Sequence, residues 1–168
     1  AFSHISTPIF ATLLLKNKKL NWRLMFFGMF LSIFPDFDVI SFKLAIAYEH
    51  PWGHRGITHS IFFSIFFPLF LLKLCGVLRT TKLKLYFVAS LSLFSHLFMD
   101  MFTNGGLGVA LLWPISDARF FAPYRIIEVS PINPRSFFTY RGIEILLSEL
   151  KTIWLPSIII FFICKYIK

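Results

Sequence analysis

Apolar residues fall in five runs, at 2–15, 20–34, 57–78, 85–102 and 153–167, and the polar residues gather in the breaks between them. The first run is short for a full crossing and starts with His4, Ser6, Thr7 and Pro8, so it predicts a partial span. Lys16, Lys18 and Lys19 come after it, whereas a signal peptide carries its charges before the apolar stretch. The second run is expected to stop at Pro35, because the residue before a proline disfavours the helix. The third, 57–78, would reach roughly 33 Å as a helix, enough to cross a bilayer. The fourth closes at Thr103-Asn104-Gly105-Gly106, a cluster of helix breakers. From 107 to about 151 the chain is mixed and proline-containing, which predicts interfacial loops and short helices over one end of a bundle. The fold expected is all-α: one membrane-embedded domain over residues 1–168, with four or five helices that span or partly span.

Composition supports this pattern. The chain is 57 % hydrophobic with 23 Phe and only 15 % charged residues, and its mean hydropathy is +0.72. That lies far from soluble globular usage and predicts membrane lipids as its surroundings. A net charge of +9 would suggest nucleic acid for a soluble chain. Here the positive-inside rule accounts for it, and no basic stripe interleaved with aromatics supports nucleic-acid binding. Cys75 and Cys164 lie within apolar runs, so neither a disulfide framework nor a cysteine metal site is expected.

The charges also orient the bundle. Lys16–Lys19, Arg79–Lys84 and Lys165–Lys168 share one side if successive runs alternate in direction. His4, Asp36, Asp38, His54, His59, His96 and Asp100 then gather on the other, which the rule makes extracytoplasmic. Arg119, Arg125, Arg135 and Arg141 in the late loop fall on this outer side too.

Ionisable groups at membrane depth are costly, so their clustering is itself a functional pointer. His96 and Asp100 are four apart and share a helical face, where two ligands can hold one cation. His54 and His59 are five apart and face one site only if a helix begins between them, which Gly56 allows. His59 is the favoured ligand; His54 is a ligand or a proton-transfer group. Arg55 is suited to clamping phosphate. Asp36 and Asp38 could converge from a non-helical turn after Pro35, or divide into one ligand and one group orienting a histidine. His4 could hold a second metal or lie at the interface. Seven His and Asp side chains exceed what one four-coordinate ion needs, so one or two divalent ions are expected, zinc first and manganese second.

Pro35-Asp36-Phe37-Asp38, Gly53-His54-Arg55-Gly56-Ile57-Thr58-His59-Ser60, His96-Leu97-Phe98-Met99-Asp100 and Leu111-Leu112-Trp113-Pro114 stand in the order of the YdjM-type inner-membrane proteins, which the whole chain resembles. The resemblance implies a multi-pass protein of the bacterial inner membrane and a metal-dependent hydrolase. More distantly, the order His, Asp, His, HxxxD is similar to the zinc-dependent phospholipase C and P1-nuclease group. That likeness implies Asp36, His59 and His96 on a first metal, Asp100 as the bridge and His4 on a second. No histidine follows His96, so a third metal site has no counterpart here. The expected function is hydrolysis of a phosphoester, lipid-borne among the options, by a metal-activated water. Protons would be handled by His54 or Asp38, and charge neutralised by Arg55. A metal-ion binder or transporter without turnover is the alternative, and a hydrogen-bonded structural cluster the third reading. Thr103, Asn104 and Glu149 are polar residues that could line the pocket.

Overall fold

A computed structural model describes residues 2–14, 21–129 and 138–166. Lys16, Lys18, Lys19, Arg135 and Lys168 lie outside the described residues, and with them the whole Lys16–Lys19 cluster and part of Lys165–Lys168. Among the described residues all regular structure is helical, apart from two isolated bridges in the loop after residue 102.

A 3₁₀ turn, Phe2–Ile5, leads into α1, Ser6–Leu14. Helix α2, Trp22–Ile33, begins at Asn21, whose side chain accepts from the Leu24 N–H at 3.2 Å. That N-cap satisfies one of the orphan donors of the first turn. The Asn21 amide also donates to the carbonyls of Leu78 and Arg79, both at 3.0 Å, which ties α2 to the turn between the next two helices. The α-helix itself ends at Ile33, just before Pro35 as expected, but the chain does not break there. The helix tightens instead and runs on as a 3₁₀ segment, Phe34–Leu44, to a left-handed Ala45. Pro35 falls in the first turn of that segment, where a missing N–H is tolerated. Trp22–Leu44 is therefore one continuous rod of 23 residues, long and apolar enough to cross a membrane.

Helix α3, Ile61–Leu71, extends as a 3₁₀ turn through Leu74. The run 57–78 is thus only partly helical. Its first residues form the separate 3₁₀ turn Ile57–His59, and Ser60 is extended and caps α3 through the Phe63 N–H. Helix α4, Lys82–Met101, is the central post and packs against α1, α2 and α3. Gly28 allows the closest approach: a Cβ there would stand 2.8 Å from Pro8 Cβ and 2.9 Å from Val88 Cγ1. The hydroxyls of Thr12, Ser64 and Ser92 are buried in these contacts and donate to the carbonyl four residues back, so none is left unpaired in an apolar setting. Leu24, Leu78, Leu85 and Val88 form the core at the Asn21 end.

The last apolar segment begins earlier than its hydrophobicity indicates. Helix α5, Tyr140–Glu149, passes through a π turn, Leu150–Trp154, into α6, Leu155–Tyr166. Charged residues at the start of α5 read as loop, yet the helix buries Gly142, Ile145 and Glu149. The widened turn directly precedes Pro156, which lacks the N–H a regular helix would use there. Tyr140–Cys164 is the second segment able to cross a membrane by length and composition.

Candidate metal centre

The last two turns of α4, the 3₁₀ half of the α2 rod and the turn before α3 meet at one end of the bundle. Asp36, His59, His96 and Asp100 each turn one ligand atom inward there, and the four atoms lie within 4.8 Å of one another. His59 Nε2 stands 2.9 Å from His96 Nε2 and 3.4 Å from Asp100 Oδ2. Asp36 Oδ1 stands 3.5 Å from His96 Nε2 and 3.9 Å from His59 Nε2. His59, His96 and Asp100 are buried and Asp36 is half-buried.

The outer edges of the two imidazoles fix which nitrogen carries the proton. His96 Nδ1 sits 2.7 Å from the Ser32 carbonyl, which can only accept, so Nδ1 is the protonated nitrogen. His59 Nδ1 faces Asp38 Oδ2 at 3.1 Å and Thr58 Oγ1 at 3.0 Å. Thr58 spends its own hydrogen on Asp38 Oδ2 at 2.5 Å, so both neighbours accept from His59 Nδ1–H. In their neutral forms, each ring then presents a lone pair on Nε2 to the centre. Two nitrogen lone pairs and two carboxylate oxygens converge, an arrangement that repels itself unless a cation or a shared proton sits among them. The residues thus fit a tetrahedral nitrogen–oxygen metal site, with outer partners orienting both histidines.

Asp36 and Asp38 divide the work. At three residues per turn, positions two apart point about 120° apart round the axis. Asp36 reaches the Nε2 side of His59, and Asp38 the Nδ1 side. His54, expected as a ligand or proton group, lies outside the four-atom group: its Nδ1 is 2.5 Å from Asp38 Oδ1, and its ring lines the adjoining cavity. Arg55 is buried, with Nε 3.0 Å from Asp100 Oδ2 and Nη1 donating to the Gly105 carbonyl at 2.9 Å. Its backbone is left-handed, φ +60°, a cost the surroundings must offset. They do so through the Arg55 N–H, which donates to Asp38 Oδ2 at 3.0 Å, and the Arg55 carbonyl, which accepts from the Ala110 N–H at 3.0 Å. His4 stacks on His96, ring centres 4.1 Å apart, and its Nε2 lies 3.6 Å from Asp100 Oδ1. Asp100 therefore turns one oxygen to the four-atom centre and the other to His4.

A cavity of about 640 Å³ opens beside the centre. His4, Asp36, His54, Arg55 and Asp100 line its polar side; Val39, Phe42, Met99 and Val129 line its apolar side. Thr103 lines it as expected. Asn104 instead accepts from the Val129 N–H at 3.0 Å, and buried Glu149 accepts from the Ser3 N–H at 3.1 Å.

Three residues serve the site without having drawn attention in the sequence. Thr58 lies within a quoted motif, but its bond to Asp38 depends on a turn the spacing does not reveal. Tyr48 stacks on His54 at 5.5 Å and lines the cavity, and its burial pushes the phenol above its ordinary range. Arg119, in the late loop, donates to four backbone carbonyls: His54 at 3.1 Å, Arg55 at 2.5 Å, Tyr48 at 2.9 Å and His50 at 3.2 Å. A four-carbonyl clamp of this kind has no local sequence signature.

The family described as YdjM inner membrane protein matches residues 1–167. Inner membrane protein YbcI of Escherichia coli (strain K12) is 39 % identical over 163 residues, covering 94 % of this chain and 92 % of that protein. No solved structure matches.

Proposed function

The chain belongs to the YdjM inner membrane protein family, and from that premise we propose that it is a metal-dependent hydrolase of phosphoesters. The observation that carries the reading is the convergence of two imidazole lone pairs and two carboxylate oxygens, with both rings held in the metal-binding tautomer from behind. Asp36, His59, His96 and Asp100 would hold a divalent ion, zinc or manganese. Such an ion acidifies water and draws charge from a phosphoryl oxygen.

The chain's own residues supply the rest. Arg55 brings a fixed cation to the cavity wall, suited to a phosphate oxygen. His54, held by Asp38 and facing the cavity, is placed to accept or return a proton. Asp38 holds His59 on its other side, so one carboxylate orients both a ligand and a proton carrier. The two-sided placement of Asp100 between the centre and His4 supports a second ion held by His4 and Asp100. The centre would face the extracytoplasmic side, since Arg79, Lys82 and Lys84 stand at the opposite end of α4 from Asp100.

Metal content of the detergent-purified protein, beside a His96→Ala/Asp100→Ala variant, tests the reading. One or two ions per chain in the wild type, absent from the variant, followed by turnover of phosphoesters, would uphold it. Stoichiometric metal with no turnover across phosphomonoesters and phosphodiesters would make the protein a metal binder or transporter. No metal after incubation with zinc or manganese would overturn both and leave a proton-sharing structural cluster.

A further inference from the structure

A second concavity, a groove of about 280 Å³, lies between the end of the α2 rod and the loop that follows it. Its walls are Ile40, Leu44, Ile46, Trp52 and Ile57, and its floor is Asp38, Ser41 and Thr58. The floor charge is already spent. Asp38 holds His54 through one oxygen and Thr58 and the Arg55 N–H through the other. Beside it the buried Ser41 hydroxyl has no hydrogen-bond partner among the described residues, but a lone hydroxyl cannot neutralise a charge, so the floor disfavours a charged ligand and the apolar walls favour a neutral one.

The lips show where that occupant comes from. Ile40, Leu44 and Trp52 are 57 %, 64 % and 68 % exposed, large apolar side chains gathered at one place. Ile40 and Leu44 close the last turns of Trp22–Leu44, a segment apolar enough to cross the membrane. Phe26, Phe30 and Phe37 are exposed along the same rod. The groove thus continues the exposed apolar side of this rod, at the end of its apolar stretch, where a tryptophan suits a membrane interface.

We propose that this groove seats part of the acyl chain of a bilayer lipid. Its volume suits a stretch of chain and not a whole lipid. The chain would lie against Asp38 and Thr58, behind the His59 ring, keeping water from the hydrogen bonds that hold that ring. This assignment does not depend on what the metal centre catalyses.

The test uses the full chain in nanodiscs containing phosphatidylcholine with a diazirine near the middle of one acyl chain. After illumination, adducts are mapped by mass spectrometry. Labelling of Ser41, Ile57 or Thr58, inside the groove, is the expected result. Leu44→Asp places a carboxylate at an exposed lip and should lower those adducts about tenfold, while labelling of Phe66 and Phe70 on α3 stays unchanged. Ser41→Leu, which fills the floor, should do the same by volume. Adducts confined to outward residues such as Phe30 and Phe70 would overturn the proposal. So would unlabelled groove residues in a protein that crosslinks to a second polypeptide through Trp52.

Discussion

The two ends of the α2 rod are built on opposite principles. At the Asn21 end, two capped helix starts, Asn21 on α2 and Thr81 on α4, and a core of Leu24, Leu78, Leu85 and Val88 hold three helices together. The contacts there are apolar or are single polar links, such as the Asn21 amide on the Leu78 and Arg79 carbonyls, and each can be removed without stranding a network. At the Asp36 end, seven side chains share partners: Asp100 faces Arg55, His4 and His59, and Asp38 faces His54, Thr58 and His59. Removing one strands several others. The first end makes the bundle stable, and the second makes it specific, because interlocked polar groups are satisfied in only one arrangement.

Substitutions at the two ends should separate these roles. Asp100→Ala leaves Arg55 buried without its carboxylate and should cost about 3–5 kcal/mol of stability as well as metal binding. Adding Arg55→Met should restore most of the stability, read by thermal unfolding in detergent, and none of the metal. If the single variant is as stable as wild type, the polar end is not interlocked as described. Leu85→Ala at the other end should cost about 2–5 kcal/mol yet leave metal stoichiometry of the folded protein intact. Loss of metal in Leu85→Ala would show that the two ends are coupled. Asp38→Asn keeps the shape of the outer partner but not its charge, and should weaken metal affinity about 10- to 100-fold. An unchanged affinity, measured by titration with a competing chelator, would remove Asp38 from the support of His59. The smallest effect on the site is expected from Asn21→Ala, which should cost about 1–3 kcal/mol for the cap and the two bonds to the Leu78 and Arg79 carbonyls, with metal affinity unchanged.

How far the sequence foretold this architecture differs between the same two ends. Histidine and aspartate stand out in apolar surroundings, so His59, His96, Asp36 and Asp100 were legible as a group. Their division of labour was not. Asp36 and Asp38 separate through a 3₁₀ periodicity that begins mid-rod, where Pro35 suggested a break. Thr58 and Tyr48 carry no charge to betray them. Arg119 works through backbone carbonyls 64 to 71 residues earlier in the chain, a relation invisible to any local pattern. Helix ends misread for a related reason. Buried Glu149 looked like loop because its partner, the Ser3 backbone, lies at the far end of the chain, and Arg141 reaches Glu128 in the preceding loop.

The Arg119 clamp has a consequence for how this protein tolerates change. Its four bonds read only carbonyl oxygens, so they are indifferent to the side chains that His50, His54 and Arg55 bear; at Tyr48 the guanidinium also lies over the ring, 6.0 Å from its centre. In a saturation screen scored for folded protein, Arg119 should be among the least replaceable positions. His50, which touches the clamp only through its backbone oxygen, should accept most residues. At positions such as His50 the loop framing the site can therefore change in sequence while its path is kept, whereas Gly53 and Gly56, where a Cβ would stand 2.3 and 2.0 Å from a backbone oxygen, cannot.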